Sequence, residues 1–198
     1  MKKFIYLIIT PLILFTATAA SAVVLTFDDV PGGSIQNSYG NMPTYEGFNF
    51  SSTLDWIDVE SVTWNFGAHS GDFALVNNEL GAGFIISAST TDFSFGGLWA
   101  KEYGTPPDSD GANSIFGNIS GFKDNLEVWN IEAGLNGSYQ YFGPQTALID
   151  ELRIDFGNRN LFLVDDIELT AVPVPAAAWL FGSGLIGLVS IARRKPQV

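Results

Sequence analysis

Three groups of residues carry side chains with the means to do chemistry. The first is a pair of acidic doublets, Asp28-Asp29 and Asp165-Asp166. Clustered carboxylates are hard oxygen ligands of the kind Ca²⁺ takes, with oxygens at about 2.3–2.6 Å. Neighbours on a strand point to opposite faces, so one member of each doublet is expected to face away from any shared site. The competing role is that of solvated acids that discourage edge-to-edge strand pairing. The second group is aromatic: Trp56, Trp64, Trp99 and Trp129, with Tyr39, Tyr45, Tyr103, Tyr139 and Tyr141. Sugar rings stack on exposed aromatic faces, while amides and carboxylates bind the hydroxyls. Tyr139 and Tyr141 share one strand face by the two-residue period, with Asn136 and Gln140 nearby, which makes these four a candidate glycan platform. The competing role is core filling, since aromatic side chains dominate β-sandwich cores. The third is His69, the single histidine, set between Gly67-Ala68 and Ser70-Gly71. That setting is a turn, and an exposed turn histidine is expected. A Ser-His-Asp arrangement needs a nucleophile placed by the fold, and the chain has no nucleophile elbow. Among 21 acids some pair at glycosidase spacing arises by chance, so it carries no signal. No catalytic residue is assigned, and a non-enzymatic protein is expected.

Composition narrows the classes further. The chain has 198 residues, no cysteine and a formal net charge of −12. Without cysteine there is no disulfide scaffold, thiolate zinc site or cysteine catalysis. The acidic balance argues against nucleic acid, because phosphate binding needs clustered Lys and Arg. All 21 acids lie between Val23 and Thr170, against Lys101, Lys123, Arg153 and Arg159. The remaining cations, Lys2, Lys3, Arg193, Arg194 and Lys195, sit at the two ends. Such a body favours cations and neutral glycans as partners over anionic polymers, unless divalent ions bridge them.

The elements that must position these groups are strands. Period-two alternation marks Val24-Leu25-Thr26-Phe27, residues 45–51, 72–76, 93–95, 126–131, 138–142, 152–156 and 161–164. Gly, Asn, Asp and Pro lie between these runs, and Gly157-Asn158-Arg159-Asn160 reads as a hairpin turn. Residues 104–113, with Pro106-Pro107, read as a surface loop. The expectation for residues 23–170 is an all-β, antiparallel jelly-roll-like sandwich of about 8–10 strands.

The two ends are of a different kind. Met1-Lys2-Lys3, the apolar run Phe4 to Phe15 and Ala20-Ser21-Ala22 follow the order of a signal peptide, with cleavage by the Ala20 and Ala22 rule and a mature start at Val23. At the other end, residues 171–198 hold Pro173-Val174-Pro175, an uncharged run to Ala192, and Arg193-Arg194-Lys195. Residues 175–192 would make a transmembrane helix about 27 Å long, close to the ~30 Å hydrocarbon core. Pro175 suits the first helical turn, Trp179 the interfacial belt, and the three cations the cytoplasmic side. The body is then exported across the inner membrane and anchored by this helix.

The Pro-Val-Pro triplet, the Trp-Leu-Phe-Gly-Ser-Gly-Leu-Ile-Gly-Leu run and the terminal Arg-Arg-Lys resemble a PEP-CTERM sorting segment, with Val174 in place of the glutamate in the family's name. The resemblance implies an exosortase as processing partner, removal of the helix, and delivery to the surface or outside of a Gram-negative cell, often alongside exopolysaccharide. The body also resembles an extracytoplasmic domain recurrent in such proteins. The resemblance is carried by Phe27-Asp28-Asp29-Val30, Tyr45-Glu46-Gly47-Phe48-Asn49-Phe50, the stretch His69 to Asn77, and the segments 152–156 and 162–167. It implies a jelly roll akin to carbohydrate-binding modules, with no established ligand. In such folds the first and last strands lie side by side, which would bring the two acidic doublets together where similar modules hold a structural calcium. The function expected is an envelope or matrix protein binding exopolysaccharide. The alternatives are a structural surface protein without a ligand, and a secreted glycan-active enzyme.

Overall fold

The structure, a computed structural model, describes residues 22–33, 38–77, 79, 81–107, 109–157, 161–172 and 184. The expected signal segment up to Ser21, the sorting residues Pro173, Val174, Pro175, Arg193, Arg194 and Lys195, and the expected helix apart from Gly184 lie outside the described residues. Among the described residues, no helix is long and apolar enough to cross a membrane. The chain divides into two contact units, and residues 20–172 form the one that carries the features below.

That unit is all-β. Its strands are β1 (Ala22–Leu25), β2 (Tyr39–Asn41), β3 (Phe48–Phe50), β4 (Leu54–Asp58), β5 (Phe73–Asn77), β6 (Gly83–Ser87) and β7 (Phe93–Glu102). They continue as β8 (Ile115–Lys123), β9 (Leu126–Leu135), β10 (Gln140–Phe142), β11 (Gln145–Ile149), β12 (Glu151–Asp155) and β13 (Phe162–Ala171). Thirteen described strands exceed the expected eight to ten. The strands outside the expected runs are β2, β4, β6, β8 and β11, where apolar residues stand side by side or next to glycine, as in Phe84-Ile85-Ile86 of β6 and Ile115-Phe116-Gly117 of β8, and so show no period of two. One sheet runs β10-β7-β13-β5-β4-β2, with β1 also on β13 and β11 also on β7. The other runs β3-β6-β12-β8-β9, and every strand pair is antiparallel. Repeated switching of the chain between the two sheets gives the jelly-roll-like sandwich.

The core lies between the sheets. Leu54 and Trp56 of β4, Phe73 and Leu75 of β5 and Phe162 and Val164 of β13 meet Ile85 of β6, Ile119 of β8 and Leu152 and Ile154 of β12 there. Each set follows the two-residue period. The intervening residues of the eight-stranded sheet are also buried. Ile57, Val59, Ala74, Val76 and Leu163 form a second cluster, joined by Trp64, Phe66, Ala68, Tyr103 and Tyr139. The outer face of this sheet is thus roofed by the connection between β4 and β5 and by residues that follow β7 and β9. This roof builds the sites described below.

The expected hairpin at Gly157-Asn158-Arg159-Asn160 is not one. β12 pairs with β6 and β8, whereas β13 pairs with β1, β5 and β7 in the facing sheet. A hairpin would place both apolar faces on one side of a single sheet. Here Phe156 and Phe162 meet across the core, with ring centroids 5.4 Å apart, so the chain crosses between layers.

Candidate functional site

The expected neighbourhood of the first and last strands is present. β1 pairs with β13 from Ala22↔Thr170 to Leu25↔Ile167. The two acidic doublets do not form a common cluster, however. Both grip one connection, residues 59–72, at separate points. Asp28 Oδ1 accepts hydrogen bonds from the N–H groups of Asp72 (2.9 Å) and Phe73 (3.2 Å). Asp29 Oδ1 accepts from the Tyr45 hydroxyl at 2.5 Å. Asp165 Oδ2 accepts from the N–H groups of His69 (2.9 Å) and Ser70 (3.0 Å), and its Oδ1 from the N–H of Asp166 (2.8 Å). Asp166 Oδ1 accepts from the Ser70 hydroxyl at 2.7 Å, and its Oδ2 lies 2.6 Å from His69 Nδ1. Among the described residues no group of three or more His, Asp or Glu side chains could hold a metal ion. The geometry makes these carboxylates loop clasps.

Strand alternation fails for Asp165 and Asp166 for a specific reason. In β13 the core residues are Phe162 and Val164, then Ile167 and Leu169, so the phase changes between them. The register supplies the cause. Asp165 pairs with Trp99 and Glu168 with Gly97, which leaves one extra residue in β13. Asp166 takes a left-handed φ of 46° there. A bulge of this kind re-aims side chains, and it lets both carboxylates reach the same two residues of the connection. β7 changes phase beside it. Phe95 and Leu98 both face the core, across Gly96 and a Gly97 with φ of 140°. That change turns Trp99 and Lys101 to the outer face.

A row of rings results. His69 stacks on Trp99, with centroids 4.0 Å apart and planes 15° from parallel. Tyr141, the cross-strand partner of Trp99, packs at 5.2 Å, and Tyr139 meets His69 edge-on at 5.6 Å. The two tyrosines therefore do share a face, on either side of the His69–Trp99 stack. Tyr139 is half-buried, and its hydroxyl donates to the Gly67 carbonyl at 3.3 Å. Burial, followed by the charges of Asp165, Asp166 and Glu60, pushes that hydroxyl far up, so it stays a donor. Tyr141 is half exposed and donates to the Gly96 carbonyl at 3.1 Å. The amides lie elsewhere in function. Asn136 donates to the Gly111 carbonyl and accepts from the Ser138 N–H, and Gln140 donates to Asn113. Both hold the loop after β7 and do not complete the tyrosine platform.

Beside the row opens a cavity of about 520 Å³, lined by His69, Trp99, Lys101, Asp110, Ser138 and Tyr139 among others. Lys101 is almost wholly buried. Its ammonium donates to the carbonyls of Phe66 (2.6 Å), Thr105 (3.3 Å) and Pro106 (3.5 Å) and lies 5.5 Å from the Tyr139 ring centroid. It ties both roof segments to β7. Ser138 donates to Asp110 at 2.6 Å on the far wall. The Ser70 hydroxyl is spent on Asp166, so Ser70, His69 and Asp166 converge on a carboxylate and do not form a relay from hydroxyl to imidazole.

The sequence offers Trp99 only as one of nine aromatic candidates and Lys101 only as one of four cations in the body, and it carries no signal for the stacking of His69. The alternation Phe93-Ser94-Phe95 breaks at Gly96-Gly97, which hides the rest of β7, and the glycines around His69 mark it as an exposed turn residue. Trp129 is half-buried and packs against the core, stacked on Phe95 at 5.2 Å. No protein-family model and no curated protein matches the chain.

Proposed function

We propose that this is an exported, non-enzymatic glycan-binding protein of the bacterial envelope. The observation that carries the reading is the cavity beside the Tyr139–His69–Trp99–Tyr141 row. Ligand sites are concave, mainly apolar clefts of about 300–1,000 Å³ with a few fixed polar groups. Here aromatic surface meets the Asp110 carboxylate and the Ser138 hydroxyl, the pairing that suits a sugar's apolar face and hydroxyl rim. The acidic body favours neutral over anionic glycans, and exopolysaccharide is the class that fits an envelope address.

The site is tested by a glycan array with the purified protein and with Trp99→Ala. Removing Trp99 takes away the indole and unseats His69. The expected result is at least a tenfold loss of glycan affinity, about 1.4 kcal/mol or more, with an unchanged far-ultraviolet dichroism spectrum. Failure of the parent protein to bind any neutral or acidic polysaccharide would sink the reading. Release of reducing sugar from a bound glycan would replace it with an enzymatic one.

The address rests on the two ends of the sequence. In this reading the chain has a cleaved leader, a helix over residues 175–192 and a PEP-CTERM-like segment open to an exosortase. In a host without such an enzyme the full chain is expected to fractionate with membranes, and a chain ending at Val172 with the soluble periplasmic proteins. A soluble full-length protein would contradict the anchor.

A further inference from the structure

A second, smaller cavity of about 180 Å³ opens on the same roofed face, lined by Tyr39, Asp55, Ile57, Trp64 and Tyr103. Each wall comes from a different segment. Asp55 and Ile57 are alternate residues of β4 and so share its outer face, since Trp56 between them is in the core. Tyr39 of β2 lies directly across from Ile57. Trp64 descends from the connection between β4 and β5 and meets Tyr39 edge-on, with centroids 5.4 Å apart and planes at 82°. Tyr103 follows β7 and is braced by Phe66 at 5.1 Å.

The chemistry of this box differs from that of the larger cavity. Asp55 Oδ1 is buried and has no hydrogen-bond partner. No lysine or arginine is among the residues that line the space. Aromatic faces carry a negative quadrupole, and three rings around one carboxylate form a host for a cation with an apolar skin. An inorganic cation would need oxygens in number, and the lining offers one carboxylate. From this geometry we infer that the Tyr39–Trp64–Tyr103 box with Asp55 binds an alkylated ammonium group. Burial, with the Glu79 charge adding to it, holds the Asp55 carboxyl above its ordinary range. The site is separate from the glycan cleft, and the inference does not rest on it.

The test is a titration of the full chain at constant ionic strength, followed by tryptophan fluorescence and proton NMR. The probes are choline chloride and its neutral isostere, in which a quaternary carbon replaces the nitrogen. Choline is expected to saturate the site in the millimolar range, and the isostere to bind at least tenfold more weakly. Trp64→Ala and Asp55→Asn are each expected to weaken choline about tenfold, while Trp99→Ala leaves it unchanged. Equal binding of the isostere would reduce the box to an apolar pocket and overturn the inference, as would the absence of any saturable choline signal. The isostere comparison uses the unaltered protein, so it stands even if Trp64→Ala fails to fold.

Discussion

Asp165→Ala is expected to destabilise the protein by roughly 3 kcal/mol and to open the glycan cleft. Asp165 is fully buried and accepts three backbone N–H groups, from His69, Ser70 and Asp166. Truncation leaves those donors without their acceptor, and a buried unpaired polar group costs about 1–3 kcal/mol. Some of that cost is recovered if water enters beside the half-exposed His69, which keeps the sum near the lower end. For a unit of this size the loss corresponds to about 6–12 °C in melting temperature. The freed connection would also take His69 off Trp99, so glycan binding should fall together with stability. Asp165→Asn keeps the shape and one acceptor oxygen, and should cost less.

The same residue sets a pH dependence. Burial, reinforced by the neighbouring Asp166 charge, outweighs the N–H donors and pushes the Asp165 carboxyl up to about 8. An acid raised above its unfolded value holds its proton more tightly in the folded state. Its contribution to stability is therefore complete below the ordinary carboxylate range and is lost as pH rises through about 8. The melting temperature is expected to fall between pH 5 and pH 9, and the slope to flatten in Asp165→Asn. A steeper fall in the variant would contradict the assignment.

Gly71→Ala is the second substitution with a large expected effect, again near 3 kcal/mol. Gly71 has a φ of 59°, a left-handed conformation that costs a residue with a Cβ about 1–2 kcal/mol. A Cβ there would also stand 2.0 Å from Asp28 Oδ2. The carboxylate would have to swing away from the N–H groups of Asp72 and Phe73, adding the loss of two charge-assisted hydrogen bonds. Chemical denaturation of the variant measures the sum. A second-site Asp28→Ala removes the clash but not the strain or the lost bonds. The double variant should therefore be close to additive for strain and less than additive for the hydrogen bonds. A Gly71→Ala protein as stable as its parent would show that the connection does not need its close passage over Asp28.

Much of the scaffold was legible because the two-residue period records burial directly. Leu152-Arg153-Ile154-Asp155-Phe156 announces β12 by this alternation, whereas Phe73-Ala74-Leu75-Val76 of β5 is apolar throughout because it is buried on both faces. The site was less legible, because it depends on where the period breaks. Gly96-Gly97 interrupts the alternation directly after Phe95, yet the strand continues to Glu102 and delivers Trp99 and Lys101 outward. Asp165 and Asp166 were expected on opposite faces, and a single inserted residue brings both to His69 and Ser70. Asn136 and Gln140 lie near the tyrosines in sequence but are committed to the loop beside Gly111 and Asn113.

What the sequence by itself determined was the set of faces: which residues alternate, which ends are apolar and basic, and which acids adjoin the first and last strands. These follow from local chemistry, namely side-chain direction along a strand and the cost of burying charge. What only the tertiary structure decided was which faces meet. The partner of each strand, the assignment of β12 and β13 to different sheets, the paired bulges of β7 and β13, and the roof that makes both cavities all depend on contacts between residues far apart in the chain. His69 and Asp166 stand nearly a hundred positions apart, and no local pattern encodes their contact. An acidic doublet that reads as a metal ligand and one that clasps a loop are the same residues until the packing assigns their hydrogen bonds.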